Sequence, residues 1–232
     1  MTRNRPPENI LPTAKRPALT KLSDFSHAIV GPPGIGKSTW ANQWAGAVFA
    51  ATEPGTAAMD AAVVDVRSWA DFIVVLDAIE SEDHSWQTLV IDTVDLLHHY
   101  CRASVCQELG ISHPSEAAYA KGWDLLADRW LGGINRACRL RRKSDGRRVC
   151  PLFVCHEKTT PLTENREGKI IDTGRTLVTT NLSNKPRAIL HSAVDFLYHA
   201  EFAAEDYPDR KIQKGQRIIR TQPAELPHAR VE

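Results

Sequence analysis

The stretch Gly31-Pro32-Pro33-Gly34-Ile35-Gly36-Lys37-Ser38-Thr39 decides the fold. A short apolar run, His27-Ala28-Ile29-Val30, precedes it. After it, Trp40, Gln43, Trp44 and Ala47 recur at roughly helical spacing. The order is strand, glycine-rich loop, helix, and Gly31-x-x-x-x-Gly36-Lys37-Ser38 has the spacing of a phosphate-binding loop. Glycines let the main chain curl with no Cβ in the way. The curled loop points N–H groups at a phosphate, and the helix behind it adds its positive end. Lys37 is placed to reach β- and γ-phosphates, Ser38 to hold Mg²⁺, and Thr39 to touch the α-phosphate region. The whole stretch, Pro32, Pro33 and Ile35 included, is the expected nucleotide cradle.

Such a loop needs an acid on a neighbouring strand to hold the metal's water shell. Thr88-Leu89-Val90-Ile91-Asp92 is an apolar run ending in one, so Asp92 joins Ser38 as an expected metal residue. Hydrolysis also needs a group that orients or deprotonates water. Glu53, Asp65 and Asp95 are candidates. Glu53 is preferred because it ends the strand after the loop's helix, and strand C-termini line the ligand crevice of open α/β sheets. Asp65 lies near the end of the run Ala61–Val66, which continues past it. Asp95 reads as a charge suited to a helix N-terminus. His156 closes the apolar run Val149–Cys155, where it can sense a γ-phosphate or simply pack at a strand end.

Composition bounds the rest. The 232 residues suffice for one substantial domain. Lys and Arg total 29 against 28 Asp and Glu, which excludes a histone-like basic protein and an acidic disordered tail. No apolar run approaches the roughly 20 residues of a membrane span, and the expected location is the cytoplasm. The five cysteines are odd in number and form no C-x-x-C, so neither a disulfide framework nor a zinc ribbon is indicated. His98, His99 and Cys101 are poorly arranged as metal ligands, because adjacent helical residues point apart.

Residues 1–22, with Pro6, Pro7, Pro12 and Pro17, read as a flexible arm; 23–222 as the domain; 223–232 as a loose tail. Ser68 can cap a helix carrying Trp69, Phe72, Leu76 and Ile79. Two further helical stripes follow, Val94 to Val105 and Tyr119 to Ala137, the second expected to be loosened by Gly132-Gly133. Residues 159–185 look polar and turn-rich, with a hairpin tip at 164–169. A strand over 193–202 and an edge strand over 217–221 follow. Strands alternating with helices give an α/β fold with a mainly parallel central sheet flanked by helices.

These motifs occur together in a recognisable order. The loop at 31–39, the acid at Glu53, LVIDT at 89–93, Tyr119-x-Lys121-Gly122-Trp123, Val154-Cys155-His156-Glu157-Lys158 and Val194-Asp195-Phe196 resemble the phage-type nucleotide-binding AAA proteins. Those are compact RecA-like P-loop ATPases, some of them implicated in single-strand annealing and recombination. The resemblance implies a RecA-like core over roughly residues 25–222, ATP with Mg²⁺, homo-oligomers, and single-stranded DNA or a recombination or replication protein as partner. It also implies the host cytoplasm if the protein is phage-encoded. By position, Glu53 matches the catalytic glutamate, Asp92 the Walker-B acid and His156 the γ-phosphate sensor, with Lys37 in the catalytic set. The sequence departs from the pattern at Pro54-Gly55-Thr56, where a glycine-rich continuation is expected.

Other readings stay open at this level. The basic run Arg136, Arg139, Arg141, Arg142, Lys143, Arg147 and Arg148 can neutralise a phosphate backbone, form the lid of a small-molecule kinase, or be a solvated helix end. Lys185 and Arg187 can reach a neighbouring subunit's ATP. A nucleotide-dependent assembly switch with a protein partner is a further alternative.

Overall fold

Every residue of the apolar run His27–Gly31 is buried in a strand. A strand covered on both faces belongs in the middle of a parallel sheet flanked by helices. The computed structural model describes residues 11–12, 14–15, 17–166, 169–206, 208, 211–222 and 228–231, and only the backbone within 160–177, at 222 and over 228–231. The elements are β1 (His27–Gly31), α1 (Lys37–Ala41), β2 (Ala47–Ala51), β3 (Ala62–Asp65), α2 (Trp69–Ser81), β4 (Thr88–Asp92), α3 (Val94–Leu109) and α4 (Lys121–Ala137). They continue as β5 (Cys150–Arg166), β6 (Lys169–Thr180), α5 (Asn184–Ala193), β7 (Phe196–Phe202), β8 (Arg217–Gln222) and β9 (His228–Val231).

The strand order is β3-β2-β4-β5-β1-β7-β8. Pairing is parallel from β3 through β7, and β8 runs antiparallel on β7. The expected α/β architecture with a mainly parallel sheet is therefore present. β5 lies between the loop-bearing β1 and the acid-bearing β4. Successive residues of a strand face opposite sides, and β1 divides accordingly. Ala28 and Val30 join Phe72, Leu97, Trp130 and Leu190 on the side of the longer helices. Ile29 joins Ile35, Phe49, Val154 and Tyr198 on the other.

Several elements differ from the sequence reading. The helix after the loop ends at Ala41 and does not continue through Ala47. Gly46 turns the chain in the left-handed region at φ 54°, and its carbonyl accepts from the Gln87 and Thr88 amides as β2 begins. Trp40 and Trp44 consequently meet edge to face, 5.4 Å apart. The segment 159–185 is no polar loop. β5 runs on to Arg166 and pairs antiparallel with β6; the middle of the expected tip, residues 167–168, lies outside the described residues. His156 therefore stands inside a continuous strand and does not end one. The expected late strand begins only at Phe196, after α5, a helix that sequence reasoning missed. Pro186 disguised it, although in the first turn of a helix proline removes no needed N–H.

At the C-terminus, His228–Val231 pairs with β6, where the reading expects a loose tail over 223–232. Residues 223–227 and 232 lie outside the described residues, as do 1–10, 13 and 16 of the expected N-terminal arm. All five cysteines are free thiols.

Gly132 and Gly133 do not loosen α4, which is unbroken from Lys121 to Ala137. Gly133 lets the Trp69 ring lie against the helix backbone, and a Cβ there would overlap Cζ2 and Cη2 of that indole. Gly132 faces open space. Adjacent substitutions should therefore act in opposite directions. Gly133→Ala should destabilise by about 1–3 kcal/mol through overpacking. Gly132→Ala should stabilise by up to about 1 kcal/mol through helix propensity. Urea unfolding midpoints check both.

Candidate nucleotide-binding site

The sheet order brings residues far apart in sequence to one edge. Gly31 pairs in register with His156, Asp92 with Val154, and Ala51 with Asp92. The C-terminal ends of β1, β2 and β4 and the middle of β5 therefore face a common crevice beside the glycine loop. Gly31 has a packing reason to be glycine. A Cβ there would lie 2.5 Å from the Ala200 carbonyl of β7. Gly34 and Gly36 take positive φ, 75° and 98°, which curls the loop back over the strand end. Because α1 spans only five residues, its dipole is small, and the loop's own amides carry most of the attraction for a phosphate.

Lys37 is 6% exposed. Its Nζ donates to the carbonyls of Gly31, at 2.9 Å, and Pro32, at 3.0 Å. Burial holds its pKa below the ordinary lysine value, and the nearby Asp92 carboxylate partly opposes that shift. The Ser38 hydroxyl donates to Asp92 Oδ2 at 2.6 Å. Asp92 is 6% exposed. Its pKa is raised, chiefly by burial, with a contribution from the Glu53 charge; the Ser38 bond and Lys37 act the other way. The two residues expected to hold Mg²⁺ are thus already in contact. A hydroxyl and one buried carboxylate make a sparse, hard-oxygen donor set, which suits an ion that keeps several waters and takes phosphate oxygens as further ligands.

Glu53 lies just past β2, and a group given no such role in the sequence reading positions it. The Thr93 hydroxyl donates to Glu53 Oε1 at 2.7 Å. Thr93 is itself fixed. Its amide donates to Thr52 Oγ1 at 2.7 Å, and that hydroxyl donates back to the Thr93 carbonyl at 3.1 Å. The Thr52 amide extends the ladder to the Asp92 carbonyl at 2.7 Å. Glu53 Oε2 has no hydrogen-bond partner among the described residues. Asp65, the rival base, sits on edge strand β3 and is ion-paired with Arg67 at 3.1 Å.

Asp95 does more than sit at a helix terminus. Its Oδ1 accepts from the His156 amide at 3.1 Å, and its Oδ2 bonds His156 Nδ1 at 2.8 Å. That ring nitrogen is 4.0 Å from Glu53 Oε1. Among the described residues, Glu53, Asp95 and His156 form the one group of His, Cys, Asp and Glu side chains close enough to share an ion. His98, His99 and Cys101 do not converge. His98 lies edge-on to Trp130, His99 bonds Arg102, and Cys101 is fully buried. The sequence did carry a signal for the positioning groups, since Thr93 and Asp95 directly follow the acid-ended strand.

The basic run lies elsewhere. Arg148 donates to the Asp24 carbonyl, Ser26 Oγ and the Cys138 carbonyl, beside the starts of β1 and β5. The segment therefore sits at the end of the parallel strands opposite the loop, where no kinase lid can cover phosphates. Arg136 pairs with Asp77 and Glu80, and Arg142 pairs with Asp145. Lys185 pairs with Asp124 at 3.3 Å. Arg187 donates to Thr179 Oγ1 and Asn184 Oδ1.

The parallel sheet, the curled loop and the facing acid define a P-loop nucleotide-binding domain of the α/β class. A family model described as an AAA domain matches residues 23–231, and the chain belongs to that family of P-loop ATPases. No curated protein matches the chain. Among the described residues, no helix is long and apolar enough to cross a membrane.

The Asp95–His156 pair has a pH signature. The Asp95 hydrogen bond is the largest cause of a raised His156 pKa, and it outweighs burial. For Asp95, burial acts to raise the pKa, but the two His156 bonds prevail and the net shift is downward. A raised histidine pKa contributes stability at low pH that is lost as pH rises through the folded value. A lowered carboxyl pKa contributes stability at higher pH that is lost as pH falls through the folded value. The pair is fully formed between the two. Asp95→Asn should lower the His156 pKa and remove both flanks of this dependence, as an NMR titration of the His156 ring will read out.

Proposed function

We propose that the protein hydrolyses ATP with Mg²⁺ and that Glu53 is the base. The carrying observation is the convergence of Glu53, Asp92, His156 and Lys37 beside the glycine loop, with Glu53 Oε1 fixed by Thr93 and 4.0 Å from His156 Nδ1. Loop amides and Lys37 hold the β- and γ-phosphates. Lys37 Nζ exchanges its two loop carbonyls for phosphate oxygens, which is favourable for a cation otherwise bonded only to neutral acceptors. Ser38 and Asp92 would hold Mg²⁺, which supplies charge neutralisation for the phosphates when bound. Thr93 occupies one oxygen of Glu53, and the other accepts a proton from the attacking water. His156, its Nδ1 engaged by Asp95, keeps Nε2 for the γ-phosphate side.

The partner we propose is single-stranded DNA, in phage-type recombination or replication, acting on a cytoplasmic homo-oligomer. The β5–β6 hairpin supports this reading, because it leaves the sheet directly beyond His156 and so joins the phosphate sensor to an outlying surface. Edge strand β3 supports assembly. It pairs only with β2 among the described residues and exposes Val63 and Val64, the kind of edge that invites further pairing. The kinase alternative loses its lid with the placement of residues 136–148. Turnover that is slow and indifferent to DNA would favour the assembly switch.

Lys37→Ala should abolish nucleotide binding and turnover. Glu53→Gln should bind ATP normally and hydrolyse about 10²- to 10⁴-fold more slowly, while Asp65→Asn should turn over at the wild-type rate. Phosphate release with and without single-stranded DNA, at low and moderate salt, measures all of these. Wild-type turnover in Glu53→Gln together with loss in Asp65→Asn would move the base to Asp65.

A further inference from the structure

Beside the glycine loop a cleft of about 200 Å³ opens between the α1 segment and β8. Gly36 and Lys37 line it, so it is continuous with the phosphate cradle. Ile29 and Ala200, both buried, underlie it in the sheet, and Ile219 of β8, 38% exposed, supplies an apolar wall. This volume falls below the roughly 300–1,000 Å³ of sites that enclose a whole drug-sized ligand. It suits one flat ring system whose remainder lies outside, along the loop.

Thr39, Trp40, Gln43 and Arg217 line the cleft with no side-chain hydrogen bond among the described residues. Gln43, in the turn that closes α1, is exposed, and its side-chain carboxamide has no hydrogen bond among the described residues. Arg217 also has no hydrogen-bond or ion-pair partner among them. Its Nη1 lies 3.5 Å from where a Gly36 Cβ would stand, so the guanidinium rests against the loop. The two therefore occupy different stations. Arg217 is at the phosphate end, and Gln43 is four residues beyond Thr39, at the far end.

We propose that this cleft holds the base of the bound nucleotide, that the Gln43 amide selects adenine, and that Arg217 lies against the α-phosphate and ribose. The assignment rests on the phosphate-loop reading above and adds the base to it. A carboxamide presents a donor and an acceptor side by side, the complement of adenine N7 and N6–H₂. Guanine offers two acceptors on that edge, O6 and N7, which suit a guanidinium. The guanidinium here is at the wrong end of the cleft, and among the described residues no carboxylate lines it to accept guanine's N1–H and N2–H. The exposed Ile219 side chain and the half-buried Trp40 and Ile218 give the base an apolar face to lie on without reading its edges.

Calorimetric titration with ATP, GTP and inorganic tripolyphosphate, each with Mg²⁺, separates the parts. The wild type should prefer ATP over GTP. Gln43→Ala should erase that preference by about 10- to 100-fold while tripolyphosphate binds as before. Arg217→Ala should weaken ATP and GTP alike. Because Gln43 is exposed, its replacement leaves the fold intact. An ATP-to-GTP ratio unchanged in Gln43→Ala, or absent in the wild type, overturns the base assignment while tripolyphosphate binding keeps the loop reading. Failure of the wild type to bind tripolyphosphate and ATP overturns both.

Discussion

The insertion of β5 between β1 and β4 sets the geometry of the crevice. Were β1 and β4 direct neighbours, Asp92 would stand about 4.8 Å from the loop strand. With β5 between them, the loop and the acid are two strand spacings apart, and the gap at the sheet edge is roomy enough for phosphates and a hydrated ion. The same insertion puts His156 on the floor of that gap, in register with Gly31. Reaching across it, Ser38 still meets Asp92 at 2.6 Å, because Gly34 and Gly36 fold the loop over the strand end. The chemistry of the site thus follows from a strand order, and the strand order from which apolar runs can be buried on both faces.

Charge in the crevice is arranged as a relay of partly satisfied groups. Lys37 is buried against neutral carbonyls, Asp92 is buried with a single hydrogen bond, and Glu53 has one oxygen held and one open. Burial makes the Lys37 and Asp92 charges costly, whereas Glu53 is partly exposed. The two buried charges become better satisfied once a polyanion with a divalent cation is present. Asp95 and His156 contrast with them, since they satisfy one another and need no ligand to fix their geometry.

Much of this was legible in the sequence, and for identifiable reasons. The loop residues 31–39 declare themselves because their chemistry tolerates few substitutes. Thr88–Asp92 does so because an uninterrupted apolar run has one plausible burial. Glu53 is preferred to Asp65 from strand position alone, and Asp65 stands on the edge strand beside Arg67. What sequence could not show depended on contacts between distant segments. Asp95 looked like a helix-terminus charge because its partner His156 lies 61 residues away. Residues 159–180 looked like loop because an antiparallel ribbon outside the core needs no apolar alternation. α5 was hidden by Pro186, and the early end of α1 by packing of Trp40 against Trp44 and Tyr198. The basic run was ambiguous by nature, since only the fold could place it at the far end of the sheet.

The continuity of β5 has a mechanical consequence. From His156 to Arg166 the strand extends about 33 Å at 3.3 Å per residue, with β6 bonded along it and β9 bonded to β6 in turn. The β5–β6 ladder shifts register between Leu162 and Thr163, so the unbroken ribbon is the half nearer His156, clamped at one end in the core. A small tilt at the clamp, beside the glycine loop, is magnified along the ribbon away from the sheet. The fold thus carries a lever arm whose fulcrum is the crevice beside that loop.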